Sequence, residues 1–248
     1  MRILINGLYG HMGAEVAALA EEGYRGAFLS GGADPLCPAE SDIPCAKNIL
    51  DALTDVDCII DFSHHLCTHD LLEFAVKNRL PLVLATTGQT DEERAAIKAA
   101  SKEIPVFFAA NYSLGIALLI ELAKKTAALM PDAEIEIIEK HHDRKLDAPS
   151  GTALAIANAI CEVRPAATVH TGRSGYGKRT ADEIGIHAVR MGNIVGEHEV
   201  IIGTDTQTIT LKHEAHSRRL FAEGALIAAE FLCGKEAGLY DMKSLVSF

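Results

Sequence analysis

Short apolar runs alternate with helical patterns through the first half of the chain, and this alternation constrains the fold more than any other feature. The predicted strands are, in chain order, Ile3–Asn6, Arg25–Ser30, Cys58–Phe62, Pro81–Ala85 and Pro105–Ala109. Helical patterns separate them, and these lie after Gly7 through Ala20, around Thr68–Asn78 and from Asp91 onward. Continuous apolar strands between amphipathic helices are typical of a parallel sheet covered on both faces. With right-handed crossovers, the pattern predicts an α/β, doubly wound, Rossmann-like fold.

Polar or glycine-containing turns follow most of these strands. They are Gly7-Leu8-Tyr9-Gly10-His11-Met12-Gly13, Asp61-Phe62-Ser63, Thr86-Thr87-Gly88 and Asn111-Tyr112-Ser113. In doubly wound folds, ligands bind outside the carboxyl ends of the strands. We therefore expect the amides of the first turn, and the helix that begins there, to hold a pyrophosphate.

The first turn has the spacing Gly7-x-x-Gly10-x-x-Gly13, which is a weak signal when taken alone. Glycines between a strand and a helix also serve close packing, and Tyr9 occupies the place of the usual middle glycine in G-x-G-x-x-G. The position of the turn after the first strand of a βα array favours dinucleotide binding.

The rhythm of the sequence changes after Asn111, which indicates a second domain. Residues 1–112, completed by a C-terminal helix within about 219–248, are predicted to form the dinucleotide-binding domain. Residues 113–218 are predicted to form a substrate-binding α+β domain with a mixed sheet. Its predicted elements are Ile116–Leu129, Glu134–Lys140, a helix over about Thr152–Glu162, Ile184–Met191, Glu197–Gly203 and Thr206–Ala215.

The densest chemistry lies in the segment from Glu139 to Ala153, EKHHDRKLDAPSGTA. His141 and His142 are adjacent, and Lys145 follows three residues after the pair. The predicted start of a helix at Ser150-Gly151-Thr152 presents backbone amides that suit a carboxylate or phosphate. A histidine near its ordinary pKa is a convenient proton donor at neutral pH, and a lysine can neutralise an anion.

Plainer interpretations of the histidines and of Ser150 remain open at this point. The His141-His142 pair is compatible with a solvated turn, and Ser150 with a simple helix cap. A metal site is disfavoured because adjacent histidines lack the i, i+4 spacing of helical zinc ligands. His65 and His69 have that spacing, but as a lone pair they are more typical of surface or core histidines.

Composition excludes several classes of protein. The chain of 248 residues has 23 Lys and Arg against 34 Asp and Glu, a formal net charge of −11 that repels nucleic acids. The sequence lacks an apolar stretch of about 20 residues, the length that a membrane helix needs, and it lacks a signal peptide. The six cysteines form no CxxC pair, so we expect reduced, mostly buried thiols and a cytoplasmic location.

The segment EKHHDRKLDAPSGTA resembles the signature E-x-H-H-x-x-K-x-D-x-P-S-G-T-A of the 4-hydroxy-tetrahydrodipicolinate reductase family, also called dihydrodipicolinate reductases. The resemblance extends along nearly the whole chain, through GLYGHMG, DFS, ATTG, AANYS and IGIHAVRMGNIVGEHEV. It implies a homotetrameric enzyme, assembled largely through the sheet of the second domain (residues 113–218), that binds NADH or NADPH, or both, and a small dicarboxylate substrate.

The resemblance also implies a role for individual residues. His141 and Lys145 match the catalytic proton donors, and His142, Gly151 and Thr152, with the helix-start residue Ser150, match the substrate-binding group. The implied cofactor-binding residues are Gly7, Leu8, Tyr9, Gly10, His11, Met12, Asp34, Ala85, Thr86, Thr87, Ala109, Ala110, Asn111 and Tyr112. His11 and Ala85 depart from the Arg and Gly that the family usually has at these two positions.

Asp34 is the candidate acid for the adenosine ribose, since the predicted second strand otherwise ends without one. The stretch Ser30–Glu40 contains no Arg or Lys, and this predicts that the enzyme accepts both cofactors or favours NADH.

The implied reaction is the NAD(P)H-dependent reduction of 4-hydroxy-2,3,4,5-tetrahydrodipicolinate to 2,3,4,5-tetrahydrodipicolinate with loss of water, in diaminopimelate and lysine biosynthesis. Two other classes are compatible with the first domain. One is a nicotinamide-sensing protein without turnover, and the other is a two-domain dehydrogenase with an open-chain substrate. The intact His141, Lys145 and Ser150-Gly151-Thr152 set argues against the first, and the His-His-x-x-Lys pattern argues against the second.

Overall fold

The computed structural model describes residues 1–246, and within them the chain forms two compact units. The first unit contains Met1–Ser113 together with the chain from Arg219 onward, and the second contains Leu114–Arg218. The first unit is therefore discontinuous in sequence. Among residues 1–246, none of the helices has the length and hydrophobicity of a membrane-spanning segment.

The first unit is built on a parallel sheet. Its strands are β1 (Arg2–Asn6), β2 (Phe28–Ala33), β3 (Cys45–Ala46), β4 (Cys58–Asp61), β5 (Leu82–Leu84), β6 (Pro105–Phe108) and β12 (Gly238–Tyr240). In the described part of the chain, the strand order is β12-β6-β5-β4-β1-β2-β3, and every pairing is parallel. The chain leaves β1 toward β2 and then returns to β4 on the other side, so the switch point lies between β1 and β4.

Helices cover both faces of this sheet. The helices of the unit are α1 (His11–Glu21), α2 (Thr68–Asn78), α3 (Asp91–Ala100), α6 (Arg219–Leu232) and α7 (Lys243–Val246). α2 and α3 share a core with strand residues such as Leu4, Ile59 and Val106. α6 packs against α1 and over β4, β5 and β6, where Phe231 meets the strand residue Phe107 at a centroid distance of 6.1 Å. The predicted doubly wound α/β fold is confirmed.

β2 differs from its predicted range because it continues through two glycines. At Gly32 an added Cβ would lie 2.5 Å from the Leu8 side chain, and at Gly31 it would lie 2.8 Å from the Pro44 carbonyl oxygen. The glycines therefore serve close approach within the strand, and they do not end it. As a result, Asp34 stands directly after the end of β2.

The second unit contains a mixed sheet. Its strands are β7 (Glu134–His141), β8 (Thr168–Thr171), β9 (Glu183–Arg190), β10 (Gly196–Thr204) and β11 (Gln207–Ala215). The strand order among the described residues is β11-β10-β7-β9-β8, with β10 antiparallel to both neighbours and β9 parallel to both of its own. The helices α4 (Leu114–Leu129) and α5 (Gly151–Val163) share one core with this sheet. The predicted mixed sheet is confirmed.

The expectation of reduced and mostly buried cysteines is wrong for several positions. Cys37 and Cys45 form a disulfide with a Cα–Cα distance of 5.8 Å. The reason is the pairing of β3 with the end of β2. This pairing brings Cys45 close to Cys37, which lies near the start of the segment that joins the two strands. Cys58 is buried, but Cys67 and Cys233 are exposed.

Candidate active site

The chemistry-bearing residues of the second unit lie at the carboxyl end of β7. Alternate side chains of a strand share one face, and Ile135, Ile137, Glu139 and His141 are all buried on the face that packs toward α5. The first two belong to the apolar core. The same row therefore ends in a buried carboxylate followed by a buried imidazole, at the start of α5.

Glu139 is fully buried, and its carboxylate accepts hydrogen bonds from several donors. Oε2 lies 2.5 Å from His141 Nδ1, and Oε1 accepts the Ser150 amide hydrogen at 3.0 Å. The guanidinium of Arg190, at the end of β9, donates to both oxygens at 2.8 Å. Burial raises the pKa of Glu139, but the hydrogen bonds from Arg190, His141 and Ser150 hold it below its usual range. The carboxylate is therefore ionised at neutral pH.

His141 is subject to opposing effects. Burial lowers its pKa below the usual range, the Glu139 carboxylate raises it, and the cations of Lys145 and Arg190 lower it further. The His198 ring, on β10, stands edge-on to it at a centroid distance of 5.1 Å. Burial lowers the pKa of His198 to about 4, so this second ring is neutral at neutral pH.

The start of α5 differs in one respect from the expectation. Ser150 is the N-cap, and its Oγ accepts the Ala153 amide hydrogen at 3.2 Å and lies 3.1 Å from His198 Nε2. Its own amide hydrogen goes to Glu139, so the Ser150 amide is engaged inside the unit. The Cα of Gly151, the first residue of α5, faces open space.

Lys145 and His142 lie in the segment between β7 and α5. Lys145 Nζ pairs with Asp147 Oδ1 at 2.8 Å, and its side chain is partly exposed. His142 donates its amide hydrogen to the Ile194 carbonyl at 2.8 Å. Its ring Nδ1 is buried without a hydrogen-bond partner among residues 1–246. The structure thus gathers His141, His142 and Lys145 at one end of the second unit.

The glycine turn of the first unit fits a dinucleotide. Gly7 has φ +84°, and a Cβ there would lie 2.8 Å from the Phe62 carbonyl. A Cβ on Gly13 would overlap the Gly7 carbonyl oxygen and lie 2.9 Å from that of Leu8. α1 begins at His11 with Gly10 as its N-cap, and no side chain caps its first-turn amides. Such a turn can approach a pyrophosphate closely with its backbone.

A cavity of about 360 Å³ opens beside this turn. Its lining includes Gly7, Gly10, Asp34 and, unexpectedly, Lys47. The Asp34 carboxylate accepts the amide hydrogens of Tyr9 at 3.0 Å and Leu36 at 2.8 Å, and these contacts hold it at the tip of β2. Lys47 follows β3, and the pairing of β3 with β2 returns it to this tip. Lys47 lies beyond the stretch Ser30–Glu40 in which the sequence predicts the residues that contact the adenosine ribose.

Other predicted cofactor residues are engaged in packing. The Tyr112 hydroxyl donates to the carbonyl oxygens of Leu84 and Phe107 at 2.9 and 3.1 Å. The Thr86 hydroxyl donates to the buried Asp61 carboxylate at 2.5 Å, and Leu8 is buried. The hydroxyl groups of Tyr112 and Thr86 are therefore already engaged inside the first unit. Ala85, at the end of β5, is also buried. The remaining predicted residues of these turns are partly or fully exposed, namely Tyr9, His11, Met12, Thr87, Ala109, Ala110 and Asn111.

The parallel sheet with its glycine turn, and the buried acid–imidazole pair of the second unit, define a class of protein, the nicotinamide-dependent reductases. Two protein-family models match the chain. The model described as "Dihydrodipicolinate reductase, N-terminus" matches residues 1–112, and the model described as "Dihydrodipicolinate reductase, C-terminus" matches residues 115–246. The chain belongs to the dihydrodipicolinate reductase family, as its signature segment predicts.

Individual members of the family are similar to this chain along nearly its full length. The chain is 44% identical to the 4-hydroxy-tetrahydrodipicolinate reductase of Caldanaerobacter subterraneus subsp. tengcongensis, over 99% of this chain and 98% of that one. It is 40% identical to the Clostridium tetani enzyme of the same name, over 100% and 97%. The dipicolinate-bound dihydrodipicolinate reductase of Paenisporosarcina sp. TG-14 superposes with a TM-score of 0.82 at 27% identity, covering 99% of each chain.

Proposed function

We propose that the protein reduces 4-hydroxy-2,3,4,5-tetrahydrodipicolinate to 2,3,4,5-tetrahydrodipicolinate with loss of water, using NADH or NADPH, in the diaminopimelate branch of lysine biosynthesis. The observation that carries this proposal is the buried Glu139–His141 pair beside the start of α5, within the family's signature segment. Full-length identity of 40–44% to enzymes of that name supports it.

The substrate is a dianion, and the second unit offers matching donors. The amides of Gly151 and Thr152 at the start of α5 suit one carboxylate, because a helix N-terminus favours negative charge. His142, with its unpartnered buried Nδ1, is the proposed additional contact to the substrate. That the solved relative from Paenisporosarcina carries dipicolinate, itself a cyclic dicarboxylate, supports this choice of substrate class.

Residues of β7 and of the following segment are proposed to donate protons to the substrate. NAD(P)H, when bound, would supply the hydride that reduces C4 of the conjugated ring, which forms when the 4-hydroxyl group leaves as water. Negative charge then develops at the far end of the conjugated system, and a proton must be delivered there. His141 is the proposed donor, and Lys145 stabilises the charge and serves as a second donor. A positioned proton donor typically contributes about 10²–10⁴-fold in rate.

The cofactor preference follows from the cavity beside the glycine turn. Asp34 at the tip of β2 suits the ribose hydroxyls of NADH, while Lys47 supplies a cation toward a 2′-phosphate. Both groups line one cavity, and this arrangement supports acceptance of both cofactors. The homotetramer remains a prediction from the resemblance. A cytoplasmic location remains a prediction.

The proposal is tested with the purified protein and the product of the preceding synthase, generated in the same cuvette. Oxidation of NADH and NADPH is followed separately at 340 nm, and light scattering gives the oligomeric state. We expect turnover that depends on the synthase and on its substrates. Turnover of an open-chain amino acid in place of the cyclic substrate would contradict the proposal.

A further inference from the structure

We infer that Glu139 is a positioning residue, which with Arg190 sets both the tautomer and the protonation of His141. The inference rests on the proposed role of His141 as proton donor. Neither Glu139 nor Arg190 is expected to touch the substrate. Their function is to act through the imidazole.

The first step concerns the charge of Glu139. A carboxylate with no exposed surface stays ionised only when donors compensate for its lost hydration. Here both oxygens are engaged, one by His141 Nδ1 and the Arg190 guanidinium, the other by the Ser150 amide and the same guanidinium. Glu139 therefore keeps a full negative charge against the imidazole.

The second step concerns the tautomer. An ionised carboxylate only accepts hydrogen bonds, so the Nδ1 that lies 2.5 Å from Glu139 must carry the hydrogen. This leaves Nε2 as the nitrogen that gains and loses a proton. Nε2 lies beside Gly196, where an added Cβ would come within 3.2 Å of it. A side chain at this position of β10 would therefore press on the exchanging nitrogen, and glycine avoids that contact.

The third step concerns protonation. The charged and titratable groups that surround His141 are Glu139 on its own strand, Lys145 in the next segment, Arg190 on β9 and His198 on β10. Glu139 alone among them favours the imidazolium, while burial and the two cations oppose it. His198 is neutral near pH 7 and adds no charge. Glu139 is thus the group that keeps the proton-donating form within reach of neutral pH.

Glu139 and Arg190 have opposite effects on the pKa of His141, and this makes the inference testable. The active form carries a proton on Nε2, so the rate falls as pH rises through the pKa of His141. In Glu139→Gln the counter-charge is lost and this alkaline limb moves to lower pH, by about one to three units. In Arg190→Gln a repelling cation is lost and the limb moves to higher pH. A merely structural role would reduce activity at all pH values equally.

The experiment records kcat and KM against pH for wild type, Glu139→Gln and Arg190→Gln, with Glu197→Gln as the matched control. Glu197 is a carboxylate of the same sheet, but it pairs with Lys140 and Lys212 and does not contact His141. The control profile should match wild type. Recovery of Glu139→Gln turnover at acid pH to within about tenfold of wild type is expected.

Nitrogen-15 NMR of the histidines, without substrate, gives a readout independent of turnover. Wild-type His141 should show protonated Nδ1 in its neutral form and a pKa that falls in Glu139→Gln. If Glu139→Gln does not fold and Arg190→Gln does, a rise in the pKa of His141 in Arg190→Gln is by itself sufficient to test the inference. A His141 titration unchanged in both variants, or a neutral form protonated at Nε2, would overturn the inference. Failure of turnover in wild type would instead count against the proposed function and leave the titration result standing.

Discussion

Replacement of Gly13 by alanine tests whether the first turn is a cofactor cradle. The added methyl group would overlap the Gly7 carbonyl oxygen and lie 2.9 Å from the Leu8 carbonyl oxygen. Both neighbours are backbone atoms, so the methyl group cannot be relieved by a rotamer change. α1 must move away from the turn or the turn must open, and overpacking of this kind costs about 1–3 kcal/mol.

The same displacement moves the first-turn amides of α1 that are proposed to hold the pyrophosphate. If between half and all of this strain of about 1–3 kcal/mol falls on the cofactor-bound state, the Kd for NADH rises roughly two- to 140-fold, since about 1.4 kcal/mol is a factor of ten. Isothermal titration calorimetry measures the Kd, and thermal unfolding measures the stability. A loss of about 2–4 °C in Tm is expected for each kcal/mol.

Gly177→Ala is the matched control, because Gly177 has open space around its Cα and no positive φ. It should change neither Tm nor Kd. A Gly13→Ala protein with lower Tm but wild-type affinity for NADH and NADPH would refute the reasoning. It would show that the glycine serves helix–strand packing alone, the interpretation that the weak motif left open.

Three further predictions follow from the two sites. His141→Gln and Lys145→Ala should each lower kcat by about 10²–10⁴-fold with little change in KM, measured by initial rates; a wild-type kcat would remove the residue from proton transfer. Thr152→Val should raise KM about tenfold or more, because a hydrogen bond to a charged group contributes about 1.5–3 kcal/mol, and an unchanged KM would place the carboxylate elsewhere. Lys47→Gln should weaken NADPH binding by about tenfold and spare NADH, as measured by calorimetry at low salt; equal loss of both cofactors would contradict a role in reading the 2′-phosphate.

Much of the fold could be predicted because its signals are local. The helix Thr68–Asn78 has the predicted bounds, and α3 begins at the predicted Asp91. The Thr90 side chain and Glu93 form a capping box there, which depends only on residues three apart. The short edge strands β3, β8 and β12 were not predicted, because they lack the continuous apolar run by which the equally short β4, β5 and β6 are recognised.

The candidate sites show a similar division. The signature segment identifies His141 and Lys145, which are close in sequence. The contact between Glu139 and Arg190 joins residues 51 positions apart through the pairing of β7 with β9, and strand pairing of this kind has no local signal. Lys47 was missed for the same reason, since its place depends on the return of β3 to β2.

The sequence order of the two units has a consequence for synthesis of the chain on the ribosome. α6 fills one face of the first unit's sheet, with Ala222, Ala225, Leu226, Ala228 and Ala229 all buried, yet it is made after the whole second unit. While residues 114–218 emerge, the nascent sheet still exposes the apolar face that α6 later covers. The second unit is continuous, and its core can close first. The first unit, although it begins at the N-terminus, is therefore expected to complete its folding last, and until then its exposed apolar face is prone to aggregation.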